Sequence, residues 1–188
     1  MVKVYIGLGS NLDDPQSQLK RAIIELGMIP SSSITKTSSF YESKPVGPKD
    51  QPDYINAVVE LDTELTAVVL LDYLQGIENK HGRVRGQKWG ARTLDLDILL
   101  FGEKIIHDDR LTVPHVEMHK RGFVLFPLDE IAPDCVIPNV GTVNSLLPAT
   151  SSKTGSKGGG TTFCIKTSTV GPNDIIFFQL KSDLVVEI

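Results

Sequence analysis

Two aspartates in one short segment could together bind a divalent cation. Residues 89–102 read WGARTLDLDILLFG, in which Asp95 and Asp97 alternate with apolar residues. Alternate residues of a β-strand point to the same side, so the two Cβ atoms are predicted to lie about 6–7 Å apart on one face. Carboxylates at this spacing can hold one or two Mg²⁺ ions that also bind substrate oxygens. The alternative is a solvated sheet face on which the aspartates pair with Arg83 or Arg92.

A basic segment comes directly before these aspartates and favours the metal interpretation. Residues 80–92 read KHGRVRGQKWGAR and contain no acidic residue, although the whole chain has a formal net charge of −4. A local cationic patch in an acidic protein suits a compact anion such as a polyphosphate better than a long nucleic acid. Phosphoryl transfer requires cationic side chains that bind the phosphates and carboxylates that bind Mg²⁺.

The composition is that of an ordinary globular protein. The chain has 188 residues, 40% of them hydrophobic and 22% charged, which predicts one domain with a single core. Cys135 and Cys164 lie far apart without metal-ligand spacing, and two reduced thiols are expected. The sequence has neither a signal peptide nor a long apolar run, so we expect a cytoplasmic protein that binds neither membranes nor nucleic acid, and a monomer.

Hydrophobic periodicity predicts an alternating series of strands and helices. Strands are expected at 2–8, ending in a turn at 9–11, and at 34–42, 54–62 and 93–101, with helices at 13–27 and 66–79. Residues 103–115 are predicted to form a short strand and a turn, and short helices are expected near 116–121 and 127–131. The order β-α-β-β-α-β predicts an α+β, ferredoxin-like sandwich: an antiparallel sheet with helices on one face and the other face free to bind a ligand.

The composition changes near residue 148. We predict one domain over 1–148, a Ser/Gly/Lys-rich linker over 149–162, and a tail over 163–188 with no assigned role, whose strand-forming segments are compatible with a β-hairpin.

Several other residues are ambiguous from sequence alone. The segment GLGSN at 7–11 lacks the further glycine of a dinucleotide-binding loop and is interpreted as a strand-to-helix turn. His115 and Arg121 could contact phosphates or lie on an ordinary surface, and Trp89 could stack on a planar ligand or pack within its loop.

The combined motifs resemble a known family. YIGLGSNL, FYES, GPKDQPDYINAV, GRVRGQKWGARTLDLDILLFG, RLTVPH and KRGFVLFPL together resemble the 6-hydroxymethyl-7,8-dihydropterin pyrophosphokinases of folate biosynthesis, over about residues 2–138. The resemblance implies a ferredoxin-like enzyme that transfers diphosphate from ATP to the hydroxymethyl group of the pterin and releases AMP.

The resemblance also implies roles for individual residues. Asp95 and Asp97 would bind two Mg²⁺ ions, and Arg83 and Arg92 would neutralise phosphate charge as the transition state forms. The remaining nucleotide-binding residues would be Gln75, Ile98, Arg110, Thr112, His115 and Arg121. The pterin-binding residues would be Tyr54 and Phe123 around the ring, Asn56 at its edge and Trp89 closing over it.

Three further hypotheses follow from the residues. Loops 43–53 and 82–91 have the composition of lids and are expected to close after ATP binds. A Mg²⁺-dependent nucleotidyl transferase or nuclease would also use paired strand aspartates but would need a longer basic track. A ligand-sensing module would bind its ligand without the metal.

Overall fold

The computed structural model describes residues 1–45, 50–83 and 90–147, together with the backbone of 164–168. The strands are β1 (Val2–Ser10), β2 (Ser32–Thr37), β3 (Phe40–Ser43), β4 (Tyr54–Thr63), β5 (Asp95–Phe101), β6 (Ile106–His107), β7 (Thr112–Val113), β8 (Val136–Ile137), β9 (Gly141–Thr142) and β10 (Cys164–Ser168). The helices are α1 (Pro15–Leu26), α2 (Ala67–Lys80), α3 (Gly122–Ile131) and α4 (Val143–Leu146), with a 3₁₀ turn at Met118–Lys120.

The centre of the molecule is an antiparallel sheet in the order β10-β3-β4-β1-β5, with β2 also paired to β4. The longest strands, β1 and β4, lie side by side in one continuous register from Val2↔Thr63 to Ser10↔Ile55. This pairing corrects the turn predicted at 9–11, because Gly9 and Ser10 are still part of β1. The antiparallel α+β architecture itself is confirmed.

The single strand predicted at 34–42 is two strands, β2 and β3, that both pair with β4. The break falls at Ser38, whose N–H donates to Val58 O at 2.9 Å and whose Oγ accepts from Val58 N at 2.9 Å. A serine hydroxyl here takes the place of the partner strand's backbone, so the backbone can bend without leaving the Val58 groups unpaired.

Helices α1 and α2 cover one face of the sheet. Asp14 accepts from Ser17 N at the start of α1, and Thr66 accepts from Val69 N at the start of α2, which satisfies backbone donors that have no partner within the helix. The apolar sides of both helices pack on alternate sheet residues such as Val4, Ile6 and Leu8. Burial of this surface is the main term that holds the two helices on the sheet.

The other face of the sheet is only partly open, which corrects the prediction that it is free. Helix α3 packs against Tyr5, Val58 and Leu99 at one part of this face. The rest of it, towards the end of β1 and the beginnings of β4 and β5, presents small or polar residues: Gly7, Gly9, Asn56, Asp95 and Asp97.

The segment 103–115 forms the small hairpin β6–β7, and the helix predicted at 127–131 is part of the longer α3. The predicted linker, 149–162, lies outside the described residues; of the predicted tail, residues 164–168 are described, and their strand β10 pairs with β3. None of the described helices has both the length and the apolar character needed to span a bilayer.

Candidate functional site

Two adjoining cavities, one on the open part of the sheet and one between α2, β5 and the β6–β7 hairpin, share Asp97 and His115. The first, of about 300 Å³, is lined by Gly7, Leu8, Gly9, Ser43, Lys44, Tyr54, Asn56, Ala57, Gly90, Arg92, Asp95, Asp97, Leu99, His115, Arg121, Phe123 and Val124. The second, of about 410 Å³, is lined by Leu71, Gln75, Glu78, Arg83, Leu96, Asp97, Ile98, Arg110, Leu111, Thr112, His115 and Val116. Both have the size of small-molecule sites.

Every residue that the sequence singled out and that the structure describes lines one of these cavities. The sequence analysis named fourteen candidate site residues, and the structure describes thirteen of them. The other, Trp89, lies outside the described residues, as do 46–49 and 84–89 of the two predicted lids. Residues from five separate parts of the chain therefore meet in one place.

Strand β5 directs both aspartates towards the site. Leu96 and Ile98 are buried on the helix side, so Asp95 and Asp97 face the other way, as the alternation predicted. Their partners on β1 are Gly9 and Gly7. Because a glycine has no side chain beyond Cα, the space in front of the two carboxylates stays open for a ligand.

Asp95 is the centre of an ion-pair network. Arg83 and Arg92 both contact its carboxylate, one arginine on each oxygen. The sequence analysis left open that the aspartates pair with these arginines, and the structure shows such pairs for Asp95. The two guanidinium groups are thereby held beside the cavity, where they can also contact an anionic ligand.

Glu78 completes this network and was missed by the sequence analysis. Its side chain is 1% exposed, and its Oε1 accepts from Leu96 N at 2.8 Å and pairs with Arg83. Burial is the largest influence on this carboxyl and raises the pKa of Glu78. A signal did exist: Glu78 continues the apolar stripe of α2 after Leu71 and Leu74, a position where a glutamate needs a partner.

Asp97 and His115 lie where the two cavities meet. Partial burial, together with the neighbouring charges of Asp95 and Glu78, raises the pKa of Asp97. Burial and the nearby Arg121 guanidinium lower the pKa of His115. His115 Nδ1 accepts from Glu117 N at 3.2 Å, so the neutral imidazole carries its proton on Nε2, which lies 4.0 Å from Asp97 Oδ2.

The first cavity combines aromatic walls with a fixed amide. Tyr54 donates to Gly90 O at 3.0 Å, and the Arg121 guanidinium lies 5.8 Å from the centre of the Phe123 ring. Asn56 Nδ2 donates to Tyr41 O at 3.2 Å and to Ser43 Oγ at 2.9 Å. Both amide hydrogens are then engaged within the protein, which orients the carbonyl oxygen of Asn56 as an acceptor.

The second cavity is more open and is built by α2, β5 and the β6–β7 hairpin. Gln75 and Ile98 line it beside Thr112, while Arg110 stands at its edge and pairs with Asp72 of α2. Apolar and polar side chains line this cavity together, and Arg83 lies at the end near Asp95 and Asp97, an arrangement suited to a planar ring that carries a charged group.

The donor set at Asp95 and Asp97 fits Mg²⁺. Mg²⁺ is usually bound through one or two carboxylates, and phosphates and water complete its octahedron. Among the described residues, no group of three or more metal-ligating side chains is found. Because Asp95 already pairs with two arginines, a cation there must compete with them or arrive together with anionic oxygens.

The fold is a ferredoxin-like sheet, and its open face carries paired carboxylates beside a cluster of arginines. This combination is typical of enzymes that transfer a phosphate-containing group from a nucleotide. The profile of the 7,8-dihydro-6-hydroxymethylpterin-pyrophosphokinase (HPPK) family matches residues 5–133. The chain belongs to this family.

Curated relatives agree with this assignment. A 2-amino-4-hydroxy-6-hydroxymethyldihydropteridine pyrophosphokinase of Haemophilus influenzae is 54% identical over 147 residues, which are 78% of this chain and 92% of the relative. The protein of the same name from Pseudomonas aeruginosa is 48% identical, over 78% of this chain and 91% of the relative.

Solved structures share the fold. The HPPK-DHPS of Plasmodium falciparum, solved with SDX-DHP, superposes with a TM-score of 0.57 at 16% identity over 78% of this chain. This chain spans 43% of the length of that solved chain. At this identity the likeness concerns the fold alone, and it agrees with the ferredoxin-like order predicted from the sequence.

Proposed function

We propose that this chain transfers the terminal diphosphate of ATP to the hydroxymethyl group of 6-hydroxymethyl-7,8-dihydropterin, a step of folate biosynthesis. The single observation that carries the proposal is the junction of the two cavities at Asp97 and His115. One cavity offers aromatic walls and an oriented amide, the other offers room for a nucleotide, and the arginines lie between them. Family membership supports the same pair of substrates.

The pterin occupies the first cavity. Tyr54 and Phe123 bound its ring, and the oriented oxygen of Asn56 accepts from an N–H at the ring edge. Trp89, outside the described residues, is proposed to close over the ring with its loop. The hydroxymethyl group then points towards Asp97, where the two cavities join.

ATP occupies the second cavity. Gln75, Ile98, Arg110 and Thr112 contact the nucleoside part, and His115 and Arg121 hold the phosphates. In the transfer, the hydroxymethyl oxygen bonds to the β-phosphorus, and the bond from that phosphorus to the α,β-bridging oxygen breaks. AMP leaves with the electron pair, and the hydroxyl proton is released.

Arg83 and Arg92 stabilise the negative charge that develops during this transfer. Asp95 and Asp97 would hold Mg²⁺, two ions in our proposal, which when bound draws electron density from the phosphate oxygens. The loops 43–53 and 82–91 are proposed to exclude water. The protein is proposed to act as a cytoplasmic monomer whose catalytic domain spans 1–148, followed by the linker 149–162 and the tail 163–188.

AMP release from Mg·ATP, measured with and without 6-hydroxymethyl-7,8-dihydropterin, tests this function. Wild type should release AMP only with the pterin, and Asp97→Asn should lower the rate at least 100-fold, as expected when a charged group that acts on the transferred phosphate is lost. Asp134→Asn, at an exposed turn, is the matched control and should keep full activity. AMP release without the pterin, or an active Asp97→Asn variant, would contradict the proposal.

A Mg²⁺ titration separates the remaining alternatives. A sensing module would bind pterin and nucleotide equally with and without the metal, whereas a nuclease would hydrolyse a nucleic acid under the same conditions. We expect neither result.

A further inference from the structure

Strand β10 adds an edge strand to the sheet beside the first cavity. Its backbone pairs antiparallel with β3, from Cys164↔Ser43 to Ser168↔Phe40. The family profile ends at residue 133, so this strand lies outside the part of the chain on which the family assignment rests. Its contact with β3 is therefore a feature of this chain that the assignment does not explain.

The C-terminal end of β3 is a wall of the cavity that we assign to the pterin. Ser43 and the following Lys44 line this cavity directly. Tyr41 and Ser43 also supply both acceptors for the Asn56 amide. A displacement of β3 by a fraction of an ångström would therefore reorient the Asn56 oxygen, which is the acceptor offered to the ligand.

Strand β3 is short and needs support on more than one side. It has four residues, and its register with β4 comprises Tyr41↔Asn56, Glu42↔Ile55 and Ser43↔Tyr54. Glu130 of α3 holds the beginning of the strand through Ser39 and Tyr41.

The end of β3 faces residues 164–166 across the sheet edge. An edge without a partner leaves a row of backbone N–H and C=O groups to water and permits fraying. Pairing with β10 prevents this fraying at the end of β3, where Ser43 and Lys44 line the cavity.

We propose that Cys164–Ser168 is a positioning element that fixes the end of β3, and through it Ser43 and Asn56, for binding of the pterin substrate. This proposal rests on the proposed function of the site. The second cavity contains no residue of β3 or β4, since α2, β5, the hairpin and the segments beside them line it. Binding of ATP is therefore an internal reference that the strand should not affect.

The test is the double variant Ile165→Pro/Lys166→Pro in the full chain. Proline removes the backbone N–H, and since successive residues of a strand direct their N–H groups to opposite sides, one of the two prolines must remove a hydrogen bond to β3, so β10 should detach. The matched control is Ile165→Thr/Lys166→Thr, which changes the same two positions but keeps both N–H groups and a β-forming residue.

We expect the proline variant to raise KM for the pterin roughly 3- to 10-fold, the factor associated with ordering one or two polar side chains on binding. KM for ATP should stay within about twofold, and the threonine variant should match wild type. In hydrogen exchange, the amides of 40–43 should exchange faster in the proline variant alone, while those of β1 and β5 stay protected, which separates local loosening from general unfolding.

Three results would overturn the proposal: equal pterin KM in the proline and threonine variants, a parallel rise in both KM values, or unchanged exchange at 40–43. If wild type itself shows no pterin-dependent AMP release, the proposed function fails and this proposal falls with it. If wild type is active and the proline variant has the same KM values as wild type, only the proposed role of β10 is rejected, and the proposed function stands.

Discussion

Replacing Glu78 by glutamine should weaken catalysis at almost no cost in stability. Glu78 contacts Leu96 N and the Arg83 guanidinium through the same oxygen, Oε1. A glutamine can present its carbonyl oxygen at that position and keep both hydrogen bonds. Only the negative charge beside Arg83 is lost, so the variant isolates the effect of charge from the effect of shape.

The magnitude follows from two opposing terms. The ion pair with Arg83 becomes a hydrogen bond between the same cation and a neutral oxygen; such bonds to a charged group contribute about 1.5–3 kcal/mol, and we expect the contact to weaken by about 1 kcal/mol within that range. Against this, burial raises the pKa of Glu78, which means that the folded protein disfavours the ionised form. The neutral amide avoids that cost, and we expect the free energy of unfolding at pH 7 to change by no more than about 1 kcal/mol.

Glu78→Ala is the contrasting variant. It removes the acceptor of the buried Leu96 N–H and leaves Arg83 without one of its two partners, so a loss of about 3–5 kcal/mol is expected. In Glu78→Gln, a loss of about 1 kcal/mol in the positioning of Arg83 predicts a fall in kcat of about fivefold.

The pH dependence gives this prediction a definite sign. Because the pKa of Glu78 is raised in the folded state above its ordinary value of 4.5, the unfolded chain loses the proton first as pH rises. The contribution of Glu78 to stability is thus present below pH 4.5 and is lost as pH rises through the folded pKa. The stability of wild type relative to Glu78→Gln should fall over this range.

Urea unfolding of wild type and both variants at several pH values from 4.5 to 7, with AMP release measured in parallel, tests the reasoning. A glutamine variant at pH 7 that is as unstable as the alanine variant would refute it. Stability of wild type that rises relative to Glu78→Gln with increasing pH would refute it as well.

Two further predictions concern other buried positions. Hydrogen bonds from Lys3, Tyr5 and Thr35 outweigh the effect of burial and lower the pKa of Glu60, so the stability that Glu60 contributes should be lost as pH falls below 4.5. Glu60→Gln should lower the free energy of unfolding in urea at pH 7 by about 1–3 kcal/mol and make stability less dependent on pH in the acid range. An unchanged acid dependence in this variant would contradict the role given to Glu60. Gly7→Ala adds a methyl group to the floor of the first cavity, 3.3 Å from the Leu99 side chain, and should raise KM for the pterin about tenfold without changing KM for ATP. The control is Gly76→Ala, whose added Cβ meets nothing within 4 Å and which should leave both KM values unchanged.

Local patterns in the sequence were sufficient for the main elements and for the direction of the key side chains. The apolar spacing of α1 and α2 and the alternation along β5 are properties of neighbouring residues, so Asp95 and Asp97 could be placed on one face without knowledge of the rest of the fold. The break between β2 and β3 could not be predicted, because Ser38 bonds to Val58 of another strand.

The site residues were named from the resemblance to the family more than from their chemistry. Tyr54, Asn56 and Phe123 look like core residues in isolation, and only their shared cavity distinguishes them. The converse case is Glu78, whose place on an apolar stripe was visible in the sequence but whose partners were not.

By itself, the amino-acid sequence determined the ferredoxin-like order of elements, the family and the two carboxylates of β5, since these depend on short-range periodicity and on contiguous motifs. The tertiary structure decided which residues share a cavity, that Glu78 and Asp95 hold Arg83 between them, that α3 covers part of the open face, and that β10 lies against β3. The physical reason is that these contacts join residues far apart in the chain. Their free energy is gained only when the whole sheet has formed, and no local pattern encodes it.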